Sequence, residues 1–212
     1  LERVTTINEI AQPAAAIGVA DLPTTLGDTP IITAADLQRI WATPVAYDVT
    51  HAVQGDETYY IIFTSGTTGK PKGVQISHNN LLSYVNWMLS DDFALPTAAR
   101  ILSQAPYSFD LSVLAWGPTL ASGGTLLALP KTVTDNFKQL FETLPTMDLN
   151  VWVSTPSFMD ICLLEPTFDG EHYPELTRFL FCGEELTHAT ASALHQRFPA
   201  ARIFNTYGPT ET

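Results

Sequence analysis

The chain of 212 residues is long enough for one large domain or a domain with part of a neighbour, and 45% of it is hydrophobic against 15% charged, a balance that suits layered α/β proteins and argues against disorder. Acidic side chains number 22 and basic ones 10, for a formal charge of −12, which argues against nonspecific binding to nucleic acid or anionic lipid and demands local help for any polyanionic ligand. No run reaches the ~18 apolar residues of a membrane span, and the opening LERVTTINEI lacks the basic-then-apolar order of a signal peptide, so a cytoplasmic protein is expected.

In chain order, AAAIGVA (14–20) and TPIIT (29–33) are short apolar runs beside turn residues, and AADLQRIWA (34–42) has helical spacing. With the polar, irregular stretch from Pro44 to Glu57, they predict peripheral α/β elements and a connection over residues 1–56. YYIIFT (59–64) predicts the strongest strand, and Gly73 to Ile76 a shorter one, so the glycine-rich segment TSGTTGKPKG (64–73) joins strand to strand. Ser77 can cap the next helix, with Leu81, Val85, Met88 and Leu89 as its apolar stripe.

Beyond it, apolar runs (101–105, 124–129, 151–154, 178–182, 202–204) alternate with helix-like segments (111–121, 135–144, 157–164, 187–198). That rhythm predicts βαβ units and a layered αβα fold with largely parallel sheets over a core of residues 57–212. TYGPTET ends the chain just past a turn signal, from which a longer natural protein is expected.

Cys162 and Cys182 form no CxxC, and His51, His78, His172, His188 and His195 form no HExxH, so neither a disulfide framework nor a histidine metal site is supported. In the glycine-rich segment, Gly66, Gly69 and Gly73 allow main-chain N–H groups to approach phosphate oxygens closely. Ser65, Thr67 and Thr68 add hydroxyl donors, and Lys70 and Lys72 place two of the ten basic side chains within three residues. A solvated hairpin turn has a similar composition. The Walker A pattern GxxxxGK[ST] is not met, because Gly66 and Gly69 are three apart and Pro71 follows Lys70.

TSGTTGKPKG together with NTYGPTE (205–211) resembles the two signatures of the adenylate-forming superfamily, which includes peptide-synthetase adenylation domains, acyl-CoA synthetases and luciferases. The resemblance implies the large N-terminal domain of such an enzyme and ATP as its ligand. Thr64, Ser65, Gly66, Thr67, Thr68, Gly69, Lys70 and Lys72 would hold the phosphates. Asn205, Thr206, Tyr207, Gly208, Pro209 and Thr210 would line the nucleotide, with Tyr207 stacked on adenine and Thr210 at the α-phosphate. Glu211 would bind Mg²⁺.

PYSFDLSV (106–113) places Asp110 at a strand-to-helix boundary, where it can cap the helix or receive an ammonium group. FDLS resembles the segment of amino-acid-adenylating enzymes whose Asp pairs with the substrate amine. WVSTPSF (152–158) and FLFCGEEL (179–186) look like the remaining pocket walls. PYSFDLSV, NVWVSTPSF (150–158) and FCGEEL (181–186), with the two signatures, closely resemble the family of D-alanine:D-alanyl carrier protein ligases over most of residues 57–212. In that family Cys182 would touch D-alanine, against the alternative of a buried cysteine without a role.

The resemblance further implies D-alanyl-AMP formation, transfer to the phosphopantetheine thiol of a D-alanyl carrier protein, and D-alanylation of teichoic acids. It also implies a mobile C-terminal domain with a catalytic lysine, absent here, so no catalytic residue is assigned within the chain. The alternatives are a peptide-synthetase module for another small amino acid, an acyl-CoA synthetase, or a nucleotide-binding module without activity.

Overall fold

The computed structural model describes residues 2–18, 26–65 and 70–211, and the protein divides into two compact units, Leu1–His78 and Asn79–Thr212. The first unit opens with a helix that the sequence reading did not assign, α1 (Glu2–Ala11), which buries no residue. Its polar side chains hold it in place instead: Asn8 donates to the Leu26 carbonyl and accepts from the Thr29 hydroxyl, and Arg3 donates to the Phe63 carbonyl.

Strands β1 (Ala16–Gly18) and β2 (Ile31–Thr33) fall in the two short apolar runs and pair in parallel. Helix α2 (Ala34–Trp41) starts on a reciprocal cap in which Thr33 and Asp36 each bond the other's backbone N–H. The Thr33 hydroxyl and backbone N–H, with Arg39, donate to the Asp36 carboxylate and hold it down at about 2. The stretch from Pro44 to Glu57 is irregular apart from one turn of 3₁₀ helix at Val49–His51.

Strands β3 (Thr58–Thr64) and β4 (Lys72–Ser77) form an antiparallel hairpin with Ile62 opposite Val74 and Thr64 opposite Lys72. The glycine-rich segment therefore connects two strands, whereas a Walker A loop leads from a strand into a helix. Gly73 sits within the ladder, where a Cβ would come 3.0 Å from Ile61 and 3.1 Å from Phe63. Packing in the hairpin thus requires this glycine without any appeal to a phosphate.

The second unit is a five-stranded, wholly parallel sheet of β5 (Arg100–Ser103), β6 (Thr125–Ala128), β7 (Val151–Ser154), β8 (Arg178–Phe181) and β9 (Arg202–Asn205), in the order β6-β5-β7-β8-β9. Side chains alternate between its faces. Ile101, Val151, Val153 and Leu180 pack with Met88 of α3 (His78–Met88) and with Leu111 and Leu114 of α4 (Leu111–Ser122). Leu102, Trp152, Phe179 and Phe181 pack on the other face with α6 (Phe137–Thr143), α7 (Pro156–Cys162) and α8 (His188–Arg197). The predicted layered α/β arrangement with a largely parallel sheet is what forms.

Two local expectations are corrected. The helix expected over 135–144 forms as α6 but starts two residues later, because Asn136 is extended and its side chain accepts from the Gln139 N–H; a short helical turn, α5 (Lys131–Thr134), precedes it. Leu89 lies just past α3 and is exposed, so the buried stripe is Leu81, Val85 and Met88. No helix among the described residues is long and apolar enough to cross a membrane.

Candidate functional site

Parallel sheets bind ligands beyond the carboxyl ends of their strands, above all where neighbouring strands send their chains to opposite faces. Here β5 leads to α4 on one face and β7 to α7 on the other, and the two strands are adjacent. The segments that follow β5, β7, β8 and β9 are PYSFDLSV, the TPSF run, CGEEL and TYGPTE. All the candidate residues of the second unit thereby share one edge of the sheet.

Asp110 occupies the position before α4, yet its backbone is helical and its side chain makes no capping hydrogen bond. The capping reading is thus overturned. Its Oδ2 instead accepts from the Thr210 hydroxyl at 2.5 Å, across 100 residues of sequence. Asp110, Leu111, Leu114, Cys182 and the turn Thr206–Thr210 line a cavity of about 200 Å³, with Tyr84 and Trp87 of α3 completing the wall. That volume is below the ~300–1,000 Å³ of drug-sized sites and suits a small molecule.

Tyr84 and Trp87 were missed as wall residues by reading only the apolar stripe of α3. Their three-residue spacing, which puts both rings on one helix face, was the available signal. The turn is anchored by Thr206, whose N–H and hydroxyl both donate to the Phe181 carbonyl, at 2.8 and 2.9 Å. That double bond of the turn to the end of β8 sets Tyr207 beside Cys182. The Tyr207 ring is 96% exposed, an open face for stacking.

Gly183, next to Cys182, has φ +89, and a Cβ there would lie 3.2 Å from the Phe109 ring. Both backbone and packing therefore require glycine at this position. The two cysteines differ in kind. Cys162 is buried in the core, and burial pushes its thiol well above the ordinary range, leaving it protonated and inert; Cys182 is partly exposed in the cavity wall.

The WVSTPSF segment does not line this cavity, contrary to expectation. Trp152 is fully buried in the core, its indole N–H donating to Ser154 Oγ at 2.8 Å. Thr155, Ser157 and Phe158 line a separate cavity of about 540 Å³ with Tyr107 and Lys131. Of FLFCGEEL, only Cys182 reaches the smaller cavity; Glu184 instead accepts from the Ser157 N–H at the start of α7. Asn205 ends β9 and Glu211 is exposed, both beside the cavity rather than in its lining.

In the first unit, Thr64 and Lys72 face each other at the end of the hairpin where the glycine-rich segment joins the two strands, and Ser65 and Lys70 are exposed. Gly66, Thr67, Thr68 and Gly69 lie outside the described residues. Among the described residues no group of three His, Cys, Asp or Glu could hold a metal ion by itself.

Residues 4–212 match the family described as AMP-binding enzyme. The chain belongs to the AMP-binding enzyme family. Within curated members, it is 72% identical over 211 residues to the D-alanine--D-alanyl carrier protein ligase of Lactiplantibacillus plantarum, covering 100% of this chain and 42% of that protein. The corresponding ligase of Streptococcus agalactiae serotype V is 55% identical over 212 residues, again with 42% of its length covered. The chain thus spans about two-fifths of the length of these relatives.

Among solved structures, the Vibrio cholerae adenylation domain AlmE, in complex with glycyl-adenosine-5'-phosphate, is similar with a TM-score of 0.66 and 30% identity, over 86% of this chain and 32% of that one. The family assignment and this likeness agree with the fold.

Proposed function

We propose that the protein carrying this chain is a D-alanine:D-alanyl carrier protein ligase: it activates D-alanine with ATP as D-alanyl-AMP and passes the alanyl group to the phosphopantetheine thiol of a carrier protein. The observation that carries this reading is the Asp110 carboxylate, released from capping and turned into a small cavity beside Cys182 and the Tyr207 turn. A partly enclosed carboxylate suits an ammonium group, and a ligand without one leaves its charge without a counter-charge. The identity to the ligases of L. plantarum and S. agalactiae supports D-alanine as the amino acid.

In the first step a carboxylate oxygen of D-alanine attacks the α-phosphorus of ATP and pyrophosphate leaves. In the second, the carrier thiol, losing its proton, attacks the alanyl carbonyl carbon and AMP leaves. Asp110 holds the amine, Cys182 bounds the space for the methyl group, Tyr207 offers a stacking face to adenine, and Asn205, Thr206, Gly208, Pro209 and Thr210 shape the turn that meets the nucleotide. Thr64, Ser65, Gly66, Thr67, Thr68, Gly69, Lys70 and Lys72 take the phosphates.

The lone carboxylate of Glu211 fits Mg²⁺ only as an ion brought by the nucleotide, with phosphate oxygens completing its coordination. Bound so, it neutralises phosphate charge. Neither cysteine acts as a nucleophile, and the chemistry is positioning and charge neutralisation. D-alanylation of teichoic acids in the cytoplasm is the role that follows.

The test is pyrophosphate exchange by the intact protein with D-alanine, L-alanine, glycine and serine. Exchange driven chiefly by D-alanine, and lowered ~100-fold or more when the Asp110→Ala change leaves the ammonium unpaired, is the expected outcome. A preference for L-alanine, glycine or serine would transfer the assignment to another amino-acid-adenylating enzyme, and activation of acids lacking an amine would remove the role given to Asp110.

A further inference from the structure

The hydrogen bond between Thr210 and Asp110 engages one of the two oxygens of the carboxylate that a ligand's amine would use. Asp110 stands at the start of α4, and the next residue, Leu111, is 1% exposed and packed in the core. The carboxylate is therefore carried on a fixed element. Thr210 lies past β9 in a turn without regular structure, tied back to the sheet through Thr206 rather than through its own backbone. Of the two partners, Thr210 is the one free to give way.

We propose that Thr210 acts as an internal competitor at the amine site: its hydroxyl holds Asp110 Oδ2 until a primary ammonium displaces it. This rests on the reading that Asp110 receives an amino acid. A threonine hydroxyl has one proton to donate and no charge, whereas an ammonium has three and a full charge. Charge-assisted hydrogen bonds are roughly twice as strong as neutral ones. An ammonium therefore wins the exchange, while a neutral hydroxyl in the same place gains nothing over the one it replaces. The competition lowers the affinity of every ligand that must displace the hydroxyl, and only one that brings a charge recovers the loss.

The exchange also frees the Thr210 hydroxyl. Its single proton, no longer given to Asp110, becomes available to whatever approaches the Tyr207–Thr210 turn. Occupation of the amine site is in this way communicated to the turn that shares the lining of the same cavity. No movement of the sheet or of α4 is needed.

The experiment is calorimetric titration of the intact protein that carries this chain with D-alanine and with D-lactate, which exchanges the ammonium for a hydroxyl. Thr210→Val keeps the shape and removes the donor; Thr210→Ser keeps the donor. Thr210→Val is expected to bind D-alanine about 2- to 10-fold more tightly, the factor one net hydrogen bond confers, and to raise D-lactate affinity by at least as much. Thr210→Ser should behave as the unaltered protein.

D-alanine affinity that is unchanged or weakened in Thr210→Val, with Thr210→Ser like the unaltered protein, would overturn the proposal, because Thr210 would then only support the site. If the unaltered protein binds glycine or L-alanine in place of D-alanine, and Thr210→Val tightens that amine, the competitor role stands while the D-alanine assignment falls. If it binds no amine at all, both fall.

Discussion

The two units use apolar residues in opposite ways. Among the described residues of the first, Ile62 is the only large hydrophobic side chain that is buried, while Ile17, Ile40, Trp41, Val45, Tyr47 and Val49 are exposed. In the second, the strands hide both faces, and Trp152, Phe168, Phe179 and Phe181 stack and meet edge to face within one cluster. Hydrophobic residues are plentiful in both, so composition alone does not locate a core. What separates the units is the sheet: five parallel strands offer two faces to helices, whereas a hairpin and a two-stranded pair offer little area to bury.

That contrast is most exposed to test at the two tryptophans. Trp152→Ala removes a fully buried ring and its hydrogen bond to Ser154, and is expected to cost about 3–5 kcal/mol in denaturant unfolding. Trp41→Ala removes a ring that is 75% exposed and should stay within about 0.5 kcal/mol. Comparable losses at both positions would break the comparison.

A smaller effect sharpens it from the other side. Where burial contributes little, capping should contribute relatively more, so Thr33→Ala, which removes the reciprocal cap of α2, is expected to cost about 1 kcal/mol. The Asp36 carboxyl, held at about 2 by Thr33 and Arg39, should then titrate nearer its ordinary value by NMR.

The smallest effect concerns the surface of the second unit. Bonding to Asp169, at 2.8 Å, raises His172 above its ordinary value, while the same His172 contact lowers Asp169. His172, raised in the folded state, contributes stability that is complete below its unfolded value of 6.5 and is lost as pH rises through the folded value. Asp169, lowered, contributes above its unfolded value of 3.8, and that part is lost as pH falls through the folded value. The pair should therefore act between these limits, and NMR titration of His172→Gln and Asp169→Asn variants should return the remaining partner toward its ordinary value.

Much of the secondary structure was legible because its signals are local. Alternation marked the five strands of the parallel sheet within one or two residues, and glycine, proline and polar clusters marked their limits. The short α5 was not legible: Lys131–Thr134 is only four residues long, and the extended backbone at Asn136 with its bond to Gln139 sets it apart from the expected helix α6. Helix α1 went unassigned because it buries nothing and so shows no apolar stripe.

The site was half legible in the same sense. TSGTTGKPKG and TYGPTE are contiguous, and their order along the chain sufficed for the family. Asp110 and Thr210 are 100 residues apart, and no spacing in the sequence predicts their bond. WVSTPSF read as a pocket wall because the segment resembles one in amino-acid-adenylating enzymes, and a contiguous resemblance does not say which of its side chains, here Trp152, turn into the core.

By itself the sequence determined the order of elements, the strand-to-strand setting of the glycine-rich segment and membership of the AMP-binding enzymes, all of which rest on near neighbours. Only the tertiary structure decided that Cys182 lines a cavity while Cys162 is sealed, that Asp110 meets Thr210 instead of its own helix, and that Trp152 is core. These depend on which strands lie side by side and in what register, a long-range property that no local pattern encodes.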